Sequence, residues 1–186
     1  AGGGNGDGSF AIDASLDPRG IALVGAASSP DVYIADFFNH RIRRVSGVTG
    51  LIETIAGNGE QGFGGDGGSA VNARLNLPTD VEVDGSGNVY IADFQNNRIR
   101  KVSASGQIST FAGNGSFSYG GDGGPATQAA MKSPIGVAVG PDGYVYIADH
   151  SNNRIRRVGP PGCTASTCII ATVAGNGAAG FSGDHG

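Results

Sequence analysis

The sequence has no tryptophan, one methionine and two cysteines, and only 15% of its 186 residues are charged. Soluble domains usually carry about 25% charged residues. Its 12 basic and 16 acidic residues give a formal net charge of −4, so the whole chain is not a nucleic-acid-binding polycation. No apolar run reaches the roughly 18 residues that span a bilayer, and no G-x-x-x-x-G-K-S/T phosphate loop occurs. These absences argue against nucleic acid partners, membrane insertion and phosphate binding by such a loop.

Glycine, in contrast, is in excess, with 35 residues against a usual share of about 7%. The glycines do not fall at every third position, which excludes collagen. The chain is also 39% hydrophobic, which is too apolar for a disordered Gly/Ser linker. A folded, turn-rich protein remains, and its length is sufficient for a core that buries roughly 70% of the unfolded surface.

The glycines belong to an internal repeat of about 55 to 62 residues that covers nearly the whole chain. The phrase A-G-N-G recurs at Ala56, Ala112 and Ala174, and each copy is followed by Gly-Asp-Gly or Gly-Asp-His. Between these loops V-Y-I-A-D recurs, followed by N-H-R-I-R-R-V, N-N-R-I-R-K-V or N-N-R-I-R-R-V. The constant spacing inside the second phrase indicates a hairpin, and the variable spacing elsewhere indicates surface turns.

Each repeat predicts four short strands separated by turn signals, with no helix. The first strands are predicted at 20–24, 79–84 and 135–139, the second at 32–36, 89–93 and 145–149, the third at 41–45, 98–102 and 154–158, and the fourth at 53–56, 109–112 and 171–174. The second strands are apolar on both faces, whereas the third strands are polar apart from one isoleucine and are expected near solvent. Tandem antiparallel sheets of this kind predict an all-β protein built from β-propeller blades.

The repeat resembles a known family. P-x-G-V-A-V, G-x-V-Y-I-A-D-x-x-N-N-R-I-R-K-V and A-G-N-G-x-x-G-F-x-G-D-G-G-P-A are similar to the long-loop NHL repeats of bacterial extracellular proteins and of the teneurin NHL propeller. This resemblance implies a propeller, commonly six-bladed, that serves mostly as a binding platform. Family members bind protein partners or RNA, and more distant six-bladed relatives include lactonases and a metal-dependent lyase.

We expect a partial loop of a preceding repeat at 1–8, blades at 9–56, 57–112 and 113–174, and the start of a further repeat at 175–186. A propeller closes with about four to eight blades. Three NHL blades are therefore expected to form part or half of a six-bladed ring. The chain is then a piece of a longer propeller, one of two copies that complete a ring, or a subunit that polymerises through its end blades.

Three Asp/Arg pairs recur at a constant spacing around the predicted hairpin turn: Asp36 and Arg41, Asp93 and Arg98, and Asp149 and Arg154. They could form a ring of charge that binds a ligand. Alternatively, the aspartates accept backbone N–H groups at the turn and the arginines bridge the ends of the hairpin. Repetition in every blade favours the structural interpretation, because a binding site is normally asymmetric.

Nine of the 12 basic residues lie in the predicted third strands. They are Arg41, Arg43, Arg44, Arg98, Arg100, Lys101, Arg154, Arg156 and Arg157. This stripe could bind a polyanion such as nucleic acid, an anionic polysaccharide or a lipid surface. The alternative is that arginine on outer strands prevents edge-to-edge pairing. The acidic excess and the missing tryptophan favour the alternative, since single-stranded RNA binding uses aromatic platforms.

The aromatic residues are expected to fill the core. Tyr33, Tyr90 and Tyr146 recur in the second strands, and Phe63, Tyr119 and Phe181 recur at one loop position.

No catalytic, metal or cofactor site is predicted. Each Gly-Asp-Gly loop offers one carboxylate, such as Asp66 or Asp122, and lacks the ladder of a calcium loop, so turn capping is favoured. The histidines occupy different repeat positions, and no nucleophile elbow occurs; they are His40, His150 and His185. An enzyme of the lactonase or lyase kind would need inward-facing acidic groups or histidines from several blades, and only Asp80 and Glu82 come near this pattern.

The two cysteines, Cys163 and Cys168, flank four residues of one expanded turn. This spacing favours a disulfide over a zinc site, for which two further ligands are missing, and with it an oxidising compartment. Asn114 heads the only N-glycosylation sequon.

Together these features predict a secreted or extracellular, non-catalytic binding or assembly module, with the bacterial periplasm or surface as an alternative location. Its expected partners are proteins, including copies of itself or the remaining blades of a longer chain; a propeller enzyme and a polyanion-binding propeller are the alternatives.

Overall fold

The computed structural model of the chain describes residues 6–164 and 166–180 and contains three four-stranded antiparallel sheets. The first sheet holds β1 (Pro18–Val24), β2 (Asp31–Asp36), β3 (Arg41–Val45) and β4 (Ile52–Ala56). The second holds β5 (Pro78–Val83), β6 (Val89–Asp93), β7 (Arg98–Val102) and β8 (Ile108–Ala112), and the third holds β9 (Pro134–Val139), β10 (Val145–Asp149), β11 (Arg154–Gly159) and β12 (Ile169–Ala174). Strands follow one another in chain order within each sheet. The predicted all-β architecture of propeller blades is confirmed.

Each sheet lies inside one of the three predicted blade ranges. Parts of the predicted partial repeats at 1–8 and 175–186 lie outside the described residues, including the Gly-Asp-His motif at Asp184 and the residues Phe181 and His185. The observed helical structure consists of single 3₁₀ turns in the connections: Ala11–Asp13, Ala70–Asn72, Phe94–Asn96, Ala126–Gln128 and His150–Asn152.

The second sheet is packed between the other two. Val81, Val89 and Ile91 belong to a core shared with the first sheet, and Ala92, Ile99 and Phe111 belong to a core shared with the third. Successive side chains of a strand point to opposite faces, so a strand that is apolar at every position must be covered on both. The second strand of the middle sheet, β6, is accordingly buried at every position, as its sequence predicts, whereas β2 and β10 are only partly buried at some positions.

The long glycine-rich connections protect the outer edges of the sheets. After leaving β4, the chain crosses the outer strand of the next sheet, where Gly67 N–H donates to the Ile108 carbonyl (2.8 Å) and Ile108 N–H donates to that of Gly68 (3.0 Å). The same pairing occurs at the third sheet, where Gly123 N–H donates to the Ile170 carbonyl over 2.8 Å. Unpaired sheet edges recruit other chains, and these connections satisfy them from within the repeat.

Glycine is required where such a connection passes close to the preceding hairpin. Gly113 has a φ of +94°, and a Cβ placed there would lie 2.4 Å from the Asn97 carbonyl oxygen. Only a residue without a Cβ adopts this conformation at no steric cost. The first glycine of A-G-N-G meets the same condition in each described copy, at Gly57, Gly113 and Gly175, which accounts for part of the glycine excess.

Candidate functional site

The charged residues of the second sheet form a buried triad. Arg100 is 0% exposed and lies between two carboxylates, 3.3 Å from Asp93 Oδ2 and 2.5 Å from Asp66 Oδ1. Its guanidinium also donates to the carbonyl oxygens of Gly64 (3.3 Å) and Arg74 (3.4 Å). A planar guanidinium with several donors suits this arrangement, because buried charges must be paired and hydrogen-bonded. The triad therefore ties the glycine-rich loop to the centre of the sheet.

The triad recurs in the other sheets. In the third, Arg156 lies 3.2 Å from Asp149 and 2.6 Å from Asp122. In the first, Arg43 lies 3.6 Å from Asp36 and 2.6 Å from Asp7. All three arginines and the three strand aspartates are at most 1% exposed, whereas the loop aspartates are partly exposed, with Asp7 the most open at 44%.

Burial dominates the titration of the strand aspartate in the second sheet. It raises the pKa of Asp93 to about 6, although hydrogen bonds from the Asn96 side chain and the Asn76 backbone and attraction by Arg100 act in the opposite direction. At the partly exposed end of the equivalent network, Asp122 has a lowered pKa. Burial raises that pKa, but the hydrogen bonds from Thr172 and Tyr119 and the attraction of Arg156 together outweigh it.

The predicted Asp/Arg pairs are adjacent in register, but their side chains bind different partners. Asp93 lies opposite Arg98 in the β6–β7 ladder, yet its carboxylate pairs with Arg100, two residues further along. Arg98 instead donates to the Asn96 carbonyl (2.9 Å) and the Asn114 carbonyl (2.8 Å). Asp36 and Arg41, and Asp149 and Arg154, follow the same scheme. The arginine thus joins the hairpin turn to the following A-G-N-G loop.

The predicted arginine stripe is not one continuous exposed surface. The expectation that the third strands lie near solvent is wrong for Arg43, Arg100 and Arg156, because these side chains point inward to carboxylates supplied by distant loops. The remaining members of the stripe are partly buried. Four of these six lie over aromatic rings: Lys101 over Tyr90, Arg157 over Tyr144, Arg98 over Phe63 and Arg154 over Tyr119.

The repeated loop aromatics do not fill the core, contrary to the prediction from the sequence. Phe63 and Tyr119 are 38% and 43% exposed, and their rings lie under Arg98 and Arg154, at 3.9 and 3.8 Å from the guanidinium carbons. Cation–π stacking of this kind favours arginine over lysine.

The sequence signal that could have revealed the triad is a second constant spacing, the seven residues from each strand aspartate to its buried arginine.

A cavity of about 570 Å³ opens where the innermost strands of the three sheets begin. Asp80 is the carboxylate that lines it, among Phe37, Phe94, Ile135 and His150. Its Oδ2 accepts the Val137 N–H over 2.9 Å, and burial raises its pKa. Glu82 does not line this cavity, and its Oε1 accepts the N–H of Val83 over 2.9 Å. Among the residues that the structure describes, no group of three or more His, Cys, Asp or Glu could hold a metal ion.

The remaining sequence candidates occupy separate places. Cys163 and Cys168 are joined by a disulfide with their Cα atoms 5.0 Å apart. Asn114 is exposed, but its amide nitrogen donates to the Gln128 carbonyl over 2.9 Å. His40 accepts the Leu77 N–H at Nδ1 over 3.1 Å. Burial, and then the charge of Arg41, lower the pKa of His40, which favours the neutral ring that this bond requires.

Comparison with known proteins agrees with the repeat and the fold. The family model of the teneurin NHL domain matches residues 52–118, and that of the NHL repeat matches residues 131–158. The chain belongs to the NHL-repeat family. Its resemblance to NHL repeats, inferred from the sequence, is therefore confirmed.

Two relatives illustrate the range of this family. The chain is 34% identical over 154 residues to Protein SUPPRESSOR OF QUENCHING 1, chloroplastic, of Arabidopsis thaliana, a match covering 81% of this chain and 14% of that protein. It is 36% identical over 102 residues to Teneurin-1 of Mus musculus, covering 48% of this chain and 4% of that protein. This NHL chain thus corresponds to a small part of each relative.

Solved structures share the fold of this NHL chain. Virginiamycin B lyase from Staphylococcus aureus superposes with a TM-score of 0.53 at 15% identity, over 86% of this chain and 42% of that one. At this identity the likeness concerns the fold alone. Within the described residues, no helix of the NHL chain is long and apolar enough to cross a membrane.

Proposed function

We propose that this chain is a non-catalytic, extracellular NHL-repeat module that contacts protein partners through its blade surfaces. The main observation behind the proposal is that the buried charged groups of each blade form ion pairs with one another. Every sheet pairs one inward arginine with one strand carboxylate and one loop carboxylate. Groups that are mutually neutralised and bonded stabilise a scaffold and are not available as acids, bases or metal ligands.

The alternative of a propeller enzyme has less support from the geometry. A catalytic metal in the channel needs ligands from several blades. At the positions equivalent to Asp80, the first and third sheets have Gly20 and Gly136, which carry no side chain. The Asp80 carboxylate itself accepts a hydrogen bond from the backbone N–H of Val137 in the third sheet.

The alternative of polyanion binding is weakened by the burial of three of the nine stripe residues. The basic groups left at the surface are divided among three sheets, and Arg44 is paired with Glu53. An extracellular location is supported by the disulfide, since such bonds persist in oxidising compartments.

The test combines metal analysis with a hydrolysis assay on the purified chain and on Asp80→Asn. We expect no stoichiometric metal after dialysis and no turnover of a lactone panel by either protein. Stoichiometric calcium or zinc in the wild type, together with lactone hydrolysis that Asp80→Asn abolishes, would establish a channel enzyme and refute the proposal. Heparin chromatography provides the third arm, because strong salt-sensitive retention would favour the polyanion alternative.

A further inference from the structure

The two junctions between neighbouring sheets have the same construction. The first sheet offers a socket, formed by Ala35, Ile42 and Ala56, and the second sheet offers another, formed by Ala92, Ile99 and Ala112. Each socket receives a plug from the next repeat, made of two alanines around a 3₁₀ turn and one large apolar side chain. The plugs are Ala70, Ala73 and Leu75 at the first junction and Ala126, Ala129 and Met131 at the second, and all twelve residues are at most 1% exposed.

Backbone hydrogen bonds fix each plug in its socket. At the first junction Gly57 N–H donates to the Ala70 carbonyl (2.9 Å) and Asn58 N–H donates to that of Ala73 (2.8 Å). At the second junction the corresponding donors, Gly113 and Asn114, reach the second plug's two alanine carbonyls over 2.9 Å each. The geometry of a filled junction is therefore defined twice within the molecule.

The third sheet carries the same socket, and none of the residues that the structure describes fills it. Its walls are Ala148, Ile155 and Ala174, and they line a cavity of about 340 Å³. Ile155 is 39% exposed, whereas its equivalents in the filled sockets are completely buried. Among the described residues, no acceptor meets the N–H groups of Gly175 and Asn176, which correspond to the donors of the filled junctions.

The first sheet is preceded by a plug that meets no socket among the described residues. Ala11, Ala14 and Leu16 precede the first sheet in the arrangement of the internal plugs, around the 3₁₀ turn Ala11–Asp13. The following residue is held by the same bond, Asp17 N–H to Asp36 Oδ1 at 2.8 Å, as Asn76 N–H is by Asp93. All three residues of this plug are only partly buried.

The sheet behind the free plug is also uncovered. Ile21 and Leu23 of β1 are 60% and 63% exposed, whereas Val81, which occupies the position of Ile21 in the second sheet, is 1% exposed. The described residues of this chain therefore leave two complementary apolar faces uncovered.

We propose that the free plug around Leu16 of one copy of this chain inserts into the third-sheet socket of a second copy. This inference rests on the proposed role as a protein-binding module and names the partner. The occupant is a second copy because the free plug has the residue types, Ala, Ala and Leu, that fill the first internal socket. The contact is head to tail, so it forms a ring where the rotation closes and a filament where it does not.

Two details determine how strong this contact is. In the copy that supplies the plug, Asp7 of the same copy already provides the loop carboxylate that pairs with Arg43. The proposed junction therefore uses no residue after Gly180 of the copy that supplies the socket. In the free plug, however, Pro18 follows Leu16 by two residues, whereas in the internal plugs the proline follows the large apolar residue by three. The N–H of Ser133, which donates to Asn97 Oδ1 over 3.0 Å at the second junction, thus has no counterpart. We expect a reversible association, weaker than the internal junctions.

The test is light scattering with size-exclusion chromatography over a range of protein concentrations. The wild type is expected to form species at multiples of 18.5 kDa. Leu16→Asp removes the plug and Ala174→Arg fills the socket, and each is expected to weaken association by on the order of 100-fold. Val48→Asp is the matched control, since Val48 is 86% exposed in the β3–β4 turn and belongs to neither face; it is expected to associate like the wild type.

Mixing the two variants makes the test specific. Leu16→Asp keeps an intact socket and Ala174→Arg keeps an intact plug, so an equimolar mixture is expected to form a two-chain species that neither forms alone. Circular dichroism checks that both variants are folded; if Leu16→Asp is not, Leu16→Ala replaces it. A wild type that stays monomeric at every concentration, or a folded mixture that does not associate, overturns the proposal. Either result leaves the non-catalytic role to be decided by the metal and hydrolysis assays.

Discussion

Replacing Arg100 with methionine is expected to destabilise the chain by about 3–5 kcal/mol, the range seen when one partner of a buried ion pair is removed. The methionine has a similar length and fills much of the same space, so the loss of charge dominates. Asp93 would then be 0% exposed without its cation. It would retain the hydrogen bonds from Asn76 N–H and the Asn96 amide, both 2.8 Å.

This magnitude is large compared with the 5–15 kcal/mol by which single domains are usually stable. The substitution also releases the loop end of the triad, because Arg100 holds Asp66 and the Gly64 carbonyl. Asp66→Asn, at the 37% exposed end, is expected to cost only about 1 kcal/mol, since solvent screens this pair and the amide oxygen still accepts a hydrogen bond.

The assay is urea unfolding followed by circular dichroism at one fixed protein concentration. Lys101→Met is the matched control in the same strand, and it is expected to stay within about 0.5 kcal/mol of the wild type because Lys101 is partly exposed. The double variant Arg100→Met/Asp93→Asn is expected to regain part of the loss, because the unpaired charge is gone. A single variant as stable as Lys101→Met, or a double variant less stable than Arg100→Met, would refute the structural role assigned to the triad.

The strands were predictable because their signal is local. Apolar runs bounded by turn signals placed the second strands of the second and third sheets at the observed bounds, Val89–Asp93 and Val145–Asp149, and that of the first sheet within one residue of them. The inner strands begin at a proline, one or two residues before the predicted start, because the first position of a strand tolerates the missing N–H.

The burial of Arg100 was not predictable from the same local signal. Its partner Asp66 lies 34 residues earlier in the chain, in a loop whose glycines indicated only a turn. A polar strand pattern predicts solvent exposure unless a distant group neutralises the charge. The same limit explains the loop aromatics: Phe63 was expected in the core, but the side chain that fills the junction is Leu75, which carries no motif of its own.

The confinement of each triad to one sheet and its preceding loop has a consequence for assembly. Because the buried charges of each blade pair within that blade and its preceding loop, the junctions between blades consist of alanines and one large apolar residue. Such surfaces depend on shape and area rather than on a particular charge pattern. Blades of this type can therefore pack in tandem within one chain, and the proposed contact between copies uses the same kind of surface.

Three further perturbations test the loops and turns. Gly113→Ala is expected to cost about 3 kcal/mol or more, because its Cβ would overlap the Asn97 carbonyl oxygen at 2.4 Å; Gly106→Ala, with a φ of +80° but nothing within 4 Å, should cost only about 1 kcal/mol in the same urea assay. Reducing the disulfide, which closes a loop with a sequence separation of 5, is expected to lower the stability by about 2 kcal/mol by calorimetry; no change would mean that the turn is held by its other contacts. The last concerns pH. The pKa of His40 is lowered from 6.5 by burial and by Arg41, so the stability due to the neutral ring is present above 6.5 and is lost as the pH falls through the lowered value. His40→Asn introduces the residue found at the equivalent Asn97, whose amide oxygen accepts the same kind of backbone N–H without titrating. The gap between the urea midpoints of the wild type and His40→Asn should therefore shift in favour of the variant between about pH 7.5 and about pH 5.5; midpoints that fall in parallel would show that His40 is not the group responsible.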